Sequence, residues 1–180
     1  MKKIITLFLI ICMSVCLIFG CDLDTTQTGS QSGENSNNTG ESSVFEIPGT
    51  LTTDYFDLTI VSAEVCDTVT LDSGVEFDVK PDEGKQILVL SIDAKNTSDE
   101  IRNLGTFLAY VDDVTVMPNN VLGKLGDRIL FSGAVDSGKT MCAYIMFQVP
   151  TYWENFEMSY VDSLNGSVSK SIKICKSDIT

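Results

Sequence analysis

Gly133-Ala134-Val135-Asp136-Ser137-Gly138-Lys139-Thr140 carries the spacing G-x-x-x-x-G-K-[ST], in which loop amides cradle phosphates and the lysine reaches the terminal ones. That chemistry needs a strand before the loop and a helix after it, so that the helix N-terminus faces the anion. Here the residues after Thr140 alternate in polarity up to Pro150, which reads as a strand. The motif is therefore read as a Gly-rich turn between two strands, with no nucleotide bound.

No histidine occurs among the 180 residues, which removes Ser-His-Asp and Cys-His catalysis and the commonest zinc ligand. Cys66, Cys142 and Cys175 lie far apart without a C-x-x-C pair, so neither a thioredoxin-like centre nor a zinc ribbon is expected. Oxygen ligands are plentiful: Asp72, Glu76, Asp78, Asp82 and Glu83, or Asp112 with Asp113. Calcium would be the metal if one were held, but no D-x-[DN]-x-[DN]-G loop is present, and these acids are read as solvated turn residues with no cofactor. Two converging carboxylates could cleave sugars, though no pair is singled out among 25 acidic side chains and no catalytic residue is assigned. Tyr152 and Trp153 follow Pro150 in an expected turn. They either anchor a binding surface, as Tyr and Trp commonly do, or fold back to close one end of the domain.

The elements that must position these residues are strands. Short runs rich in Val, Ile, Tyr, Phe and Thr, separated by Asp, Gly, Asn and Pro, fall at 55–65, 75–79, 86–95, 106–112, 114–117, 128–132, 139–149, 155–162 and 168–175. No stretch keeps apolar residues at 3.6 spacing for three turns, so any helix should be a single turn. Seven to nine strands with turn signals about every ten residues predict an all-β sandwich. Alternation places Leu88, Leu90, Ile92 and Ala94 on one face, and Met141, Ala143, Ile145, Phe147 and Val149 on another, as the core.

Ahead of these strands, Lys2 and Lys3 precede sixteen uncharged residues, Ile4 to Phe19, in which only Thr6 and Ser14 are polar. Residues 1–20 read as an export signal. Leu17-Ile18-Phe19-Gly20-Cys21 resembles the lipobox of bacterial lipoproteins. That resemblance implies a diacylglycerol thioether on Cys21, cleavage before it, and anchoring on the outer face of the cell membrane, each buried methylene contributing about 0.8 kcal/mol. Without residues 1–20 the chain keeps 10 basic against 25 acidic groups, a net charge of −15 over 160 residues. Such a surface repels nucleic acid. From Cys21 to residue 46 the composition is that of a flexible Ser/Asn/Gly-rich tether, with a root-mean-square reach of roughly 28 Å. Residues 47–180 form the remaining domain.

Two strand sequences resemble a known family. Gly138 to Pro150 (GKTMCAYIMFQVP) and Ile87 to Ser98 (ILVLSIDAKNTS) are similar to paired strands of the telokin-like, immunoglobulin-like domains of unknown function found in Gram-positive lipoproteins. In this chain Ala143 stands where the family usually has Gly, and Asp112-Asp113-Val114 lacks the Gly that often follows the acidic turn. The resemblance implies an immunoglobulin-like sandwich outside the membrane. In such a sandwich the first and last strands commonly run side by side, which predicts a Cys66–Cys175 disulfide with Cys142 free. The expected function is a non-enzymatic binding or scaffold module for a protein or cell-wall glycan. A calcium-dependent adhesion or sensing domain and a surface hydrolase are the alternatives.

Overall fold

The structure, a computed structural model, describes residues 46–179. The expected export signal, Cys21 and all but the last residue of the expected tether lie outside the described residues. Fourteen strands occupy the described chain, and its helical content is one 3-10 turn, Lys176–Asp178. All nine expected strands are present, and the larger count comes from short pieces that carry too few residues for a visible period.

An eight-stranded sheet begins with β1 (Gly49–Thr52), β2 (Phe56–Cys66), β5 (Lys85–Asn96) and β12 (Thr140–Pro150), and continues through β10 (Arg128–Leu130), β9 (Lys124–Leu125), β3 (Val69–Asp72) and β4 (Glu76–Val79). A four-stranded sheet has the order β14 (Ile172–Cys175), β13 (Asn155–Val161), β7 (Thr106–Val111) and β8 (Val114–Val116). The pieces β6 (Arg102–Asn103) and β11 (Ala134–Val135) pair with each other. All pairings are antiparallel except β10 with β12.

The inner core lies between the small sheet and the first half of the large one. It unites Phe56, Leu58 and Ile60 of β2, Leu88, Leu90, Ile92 and Ala94 of β5, and Ala143, Ile145, Phe147 and Val149 of β12 with Phe107, Phe156, Met158, Tyr160 and Ile174 from the opposite sheet. The faces expected from alternation are those that face inward, with Met141 half-buried at the margin.

A second cluster lies on the other side of the same strands. Ile87 and Val89 of β5 and Tyr144 and Met146 of β12 are buried against Val69, Leu71 and Val79, because the sheet curls so that β3 and β4 cover its own outer face. Strands buried on both faces read as continuous apolar runs. Ile87-Leu88-Val89-Leu90 is such a run.

Two tight joints complete the frame. The Gly105 N–H donates to the Tyr160 hydroxyl at 2.7 Å, and a Cβ at Gly105 would collide with the Val161 carbonyl oxygen. Burial pushes the Tyr160 phenol up to about 12. At the far end of β5, Asn96 is fully buried: its Nδ2 donates to the carbonyls of Glu100 (2.7 Å) and Val135 (2.8 Å), and its Oδ1 accepts from the Ser98 N–H and hydroxyl.

Candidate functional site

The phosphate-loop pattern is a turn. β11 occupies Ala134–Val135, Gly138 takes a left-handed φ of 68°, and β12 starts at Thr140. The loop amides face carbonyls of this chain: Gly138 N–H donates to Asn96 O at 3.1 Å and Lys139 N–H to Asp136 O at 3.0 Å. A strand follows where a nucleotide site needs a helix dipole. Lys139→Ala is expected to change stability by no more than about 0.5 kcal/mol, as for surface positions in general. Titration with ATP checks the motif: binding by the wild type that the substitution abolishes would contradict this assignment.

The cysteines are separated. Cys66, Cys142 and Cys175 are free thiols. Cys66 and Cys175 reach the same end of the domain, since Cys66 pairs with Ile87 near the start of β5 and Cys175 with Asn155 at the start of β13. The expected bond between them is not formed, because neither side chain points into the space between the two sheets. Cys66 packs on the outer cluster of the large sheet, whereas Cys175 follows the inward Ile174 and so points away from the core on the small sheet, its Sγ 3.7 Å from Asn155 Oδ1. Facing opposite outer sides of the sandwich, the two sulfurs cannot meet across the core, the geometry a disulfide between sheets requires. Burial, then the nearby Glu64 and Asp67 charges, raise the Cys66 thiol above its ordinary value, which disfavours the thiolate.

Four of the acids considered for calcium are engaged locally. Asp72 Oδ1 accepts the Gly74 N–H at 2.7 Å, Asp78 Oδ1 accepts the Thr70 hydroxyl at 2.8 Å, and Asp82 pairs with Lys85 at 2.9 Å. Asp112 accepts the backbone N–H groups of Glu154 and Asn155. Among the described residues no three Asp, Glu or Cys side chains converge as a metal cage.

Tyr152 and Trp153 part company. Trp153 is 1% exposed and belongs to the inner core, so the turn after Pro150 folds back and closes the end of the sandwich. This corrects its candidacy as a binding contact. Lys176 lies over the indole at 5.8 Å and donates to Thr151 O, fixing the turn from outside. Tyr152, 80% exposed, remains on the surface.

A different face offers the better site. With Phe107, Ala109 and Val111 turned inward, Leu108 and Tyr110 of β7 project outward, 44% and 40% exposed. Register sets Tyr110 opposite Glu157 and Glu157 opposite Lys173, so an aromatic ring, a carboxylate and an ammonium cross three strands in one row. Glu157 and Lys173 pair at 3.3 Å. A hydrogen bond from Ser171, then the Lys173 ammonium, hold the Glu157 carboxyl below its ordinary value. The hairpin turn Asp112-Asp113 rims this row, both residues at positive φ (44° and 68°), the conformation for which a Gly is usual. Its Asp112 is pinned to the start of β13 by the hydrogen bonds described above. Together Tyr110, Asp112, Asp113, Asn155, Glu157 and Lys173 enclose an open concavity of about 530 Å³. Strand parity alone exposes Leu108 and Tyr110, but their neighbours depend on register across strands some fifty residues apart in sequence.

Residues 49–171 match DUF4352, a domain of unknown function. No curated protein sequence matches the chain. Solved structures that share its fold include three from Clostridium difficile and Bacillus subtilis. An uncharacterized β-sandwich protein of Clostridium difficile is 15% identical with a TM-score of 0.55, over 79% of this chain and 99% of that one. The YjhA protein of Bacillus subtilis is 16% identical with a TM-score of 0.55, over 73% and 99%. YcdA, a candidate lipoprotein of Bacillus subtilis, is 18% identical with a TM-score of 0.55 over 73% of this chain, and the matched region spans 40% of YcdA.

Proposed function

The chain belongs to the DUF4352 family of domains of unknown function, and from that premise we propose that it is a membrane-anchored extracytoplasmic lipoprotein whose immunoglobulin-like sandwich is a non-enzymatic binding module for a protein or cell-wall glycan. Lys2-Lys3, the apolar run Ile4 to Phe19 and Gly20-Cys21 support the anchor, and so does its likeness in fold to a candidate lipoprotein. The observation that carries the binding role is the outward face of β7, β13 and β14, where Tyr110 stands exposed in a concavity rimmed by charged and amide groups. Rigid strands hold that row in place, which spares the ordering cost that weakens loop-built sites.

Two measurements test the reading. Metabolic palmitate labelling is expected in the wild type and absent in Cys21→Ala; persistent labelling would remove the anchor. The lipid-free mature chain, Asp22 to Thr180, is expected to sediment with purified cell walls or with walls carrying their bound proteins. Failure with both preparations would remove the binding role.

A further inference from the structure

The concavity on the small sheet has a chemistry that narrows its ligand. Its volume of about 530 Å³ lies within the roughly 300–1,000 Å³ of small-ligand sites. A protein partner would cover about 800 Å² on this side and seek an apolar centre, whereas the outward residues of β7 supply only Leu108 and Tyr110 as large apolar side chains. An exposed ring flanked by fixed carboxylate, amide and ammonium groups instead suits a sugar, whose C–H face lies against the ring while its hydroxyls meet the polar rim. Charge narrows the choice further. Asp112, Asp113 and Glu157 face the single cation Lys173 in the lining, on a chain of net charge −13. An anionic polymer is repelled there and a cationic one attracted. An ammonium group beside Tyr110 would also gain from the face of its ring.

We infer that this face binds a glycan whose sugars carry free amino groups, with Tyr110 stacked beneath one ring and Asp113 and Glu157 receiving the ammonium and hydroxyl groups. The inference rests on the binding-module reading and assigns it a site and a ligand class. Glu157 suits the role because Ser171 and Lys173 keep it ionised at pH values where amino sugars are protonated.

The test uses the lipid-free mature chain, which contains every described strand, titrated calorimetrically with glucosamine pentamer, N-acetylglucosamine pentamer and cellopentaose. The glucosamine pentamer is expected to bind most tightly, at least tenfold tighter than either neutral pentamer, and to weaken as salt is raised. Tyr110→Ala should lower its affinity at least tenfold with the melting temperature unchanged, and Tyr110→Phe should retain it. No binding at millimolar pentamer, equal binding of cellopentaose, or a Tyr110→Ala variant that binds like the wild type would each overturn the inference. Wall sedimentation by Tyr110→Ala at the wild-type level would place wall binding elsewhere and leave the wider reading intact, whereas absence of sedimentation by the wild type removes that reading itself.

Discussion

Trp153→Ala is expected to destabilise the sandwich by about 3–5 kcal/mol, the range for truncating a large buried aromatic side chain. The indole closes the end of the inner core and is almost wholly buried, beneath a turn tied by Thr151 N–H to Gly84 O at 3.1 Å, Trp153 N–H to Pro150 O at 3.2 Å, Glu154 N–H to the Asp112 carboxylate, Lys176 N–H to Glu154 O at 2.9 Å and Lys176 Nζ to Thr151 O at 2.6 Å. Without the ring these bonds hold the turn over an unfilled cavity at the end of the core. Thermal melting should register a fall of roughly 10–20 °C, taking about 4 °C per kcal/mol for a domain of this size. Trp153→Phe supplies the control. The indole Nε1 is buried with no hydrogen-bond partner in the structure, so replacing it with a smaller ring loses area but leaves no group newly unpaired, and the loss should be less than half that of alanine. A melting temperature unchanged in Trp153→Ala would mean that the turn does not close the core.

Asn96→Ala carries the second large effect, at the opposite end of the molecule. One amide side chain ties three segments together, the end of β5, the loop through Glu100 and β11, and uses both its donors and its acceptor to do so. Its backbone N–H and carbonyl meanwhile hold the turn before β12, at Lys139 O and Gly138 N. Each buried polar group left unpaired costs about 1–3 kcal/mol, and alanine strips partners from at least the Val135 carbonyl and the Ser98 N–H. A loss of about 3 kcal/mol is expected in denaturant unfolding. Asn96→Asp should be at least as damaging, because it puts a carboxylate against the carbonyls of Glu100 and Val135. A smaller loss in Asn96→Asp than in Asn96→Ala would show that the donor bonds are not what matters. Trp153 and Asn96 lie at opposite ends of the long β5–β12 ladder, so their effects should add to within about 0.5 kcal/mol in the double variant.

Much of this frame is legible in the chain. The every-other spacing of Met141, Ala143, Ile145, Phe147 and Val149 and of Leu88, Leu90 and Ile92 names the inner core, because successive strand residues face opposite sides. Ile87 and Val89 tell more than alternation extracts: they fill the gaps between those leucines, and an unbroken apolar run signals a strand covered on both sides. What covers them is hard to see in advance. Val69 and Leu71 sit in a four-residue strand, too short for a period, and curl over the outer face through pairings with distant segments.

The candidate site divides in the same way. Parity turns Tyr110 outward, yet only register sets Glu157 and Lys173 beside it. Tyr152 and Trp153 are adjacent in a turn, where no periodicity says which side chain folds inward. Strand direction puts Cys66 and Cys175 at the same end, but their faces depend on which sheet each strand joins, and strand direction carries no information on that.

The curled sheet couples the two clusters through a pair of strands. β5 and β12 serve as a shared wall, with Leu88, Leu90, Ile145 and Phe147 on one side and Ile87, Val89, Tyr144 and Met146 on the other. Separating β5 from β12 opens both clusters to water at once, whereas lifting β3 and β4 exposes the outer one alone. Domains built on two independent cores can lose one and keep the other, passing through partly open states. In this sandwich the inner core cannot be split along the β5–β12 ladder without opening the outer cluster as well.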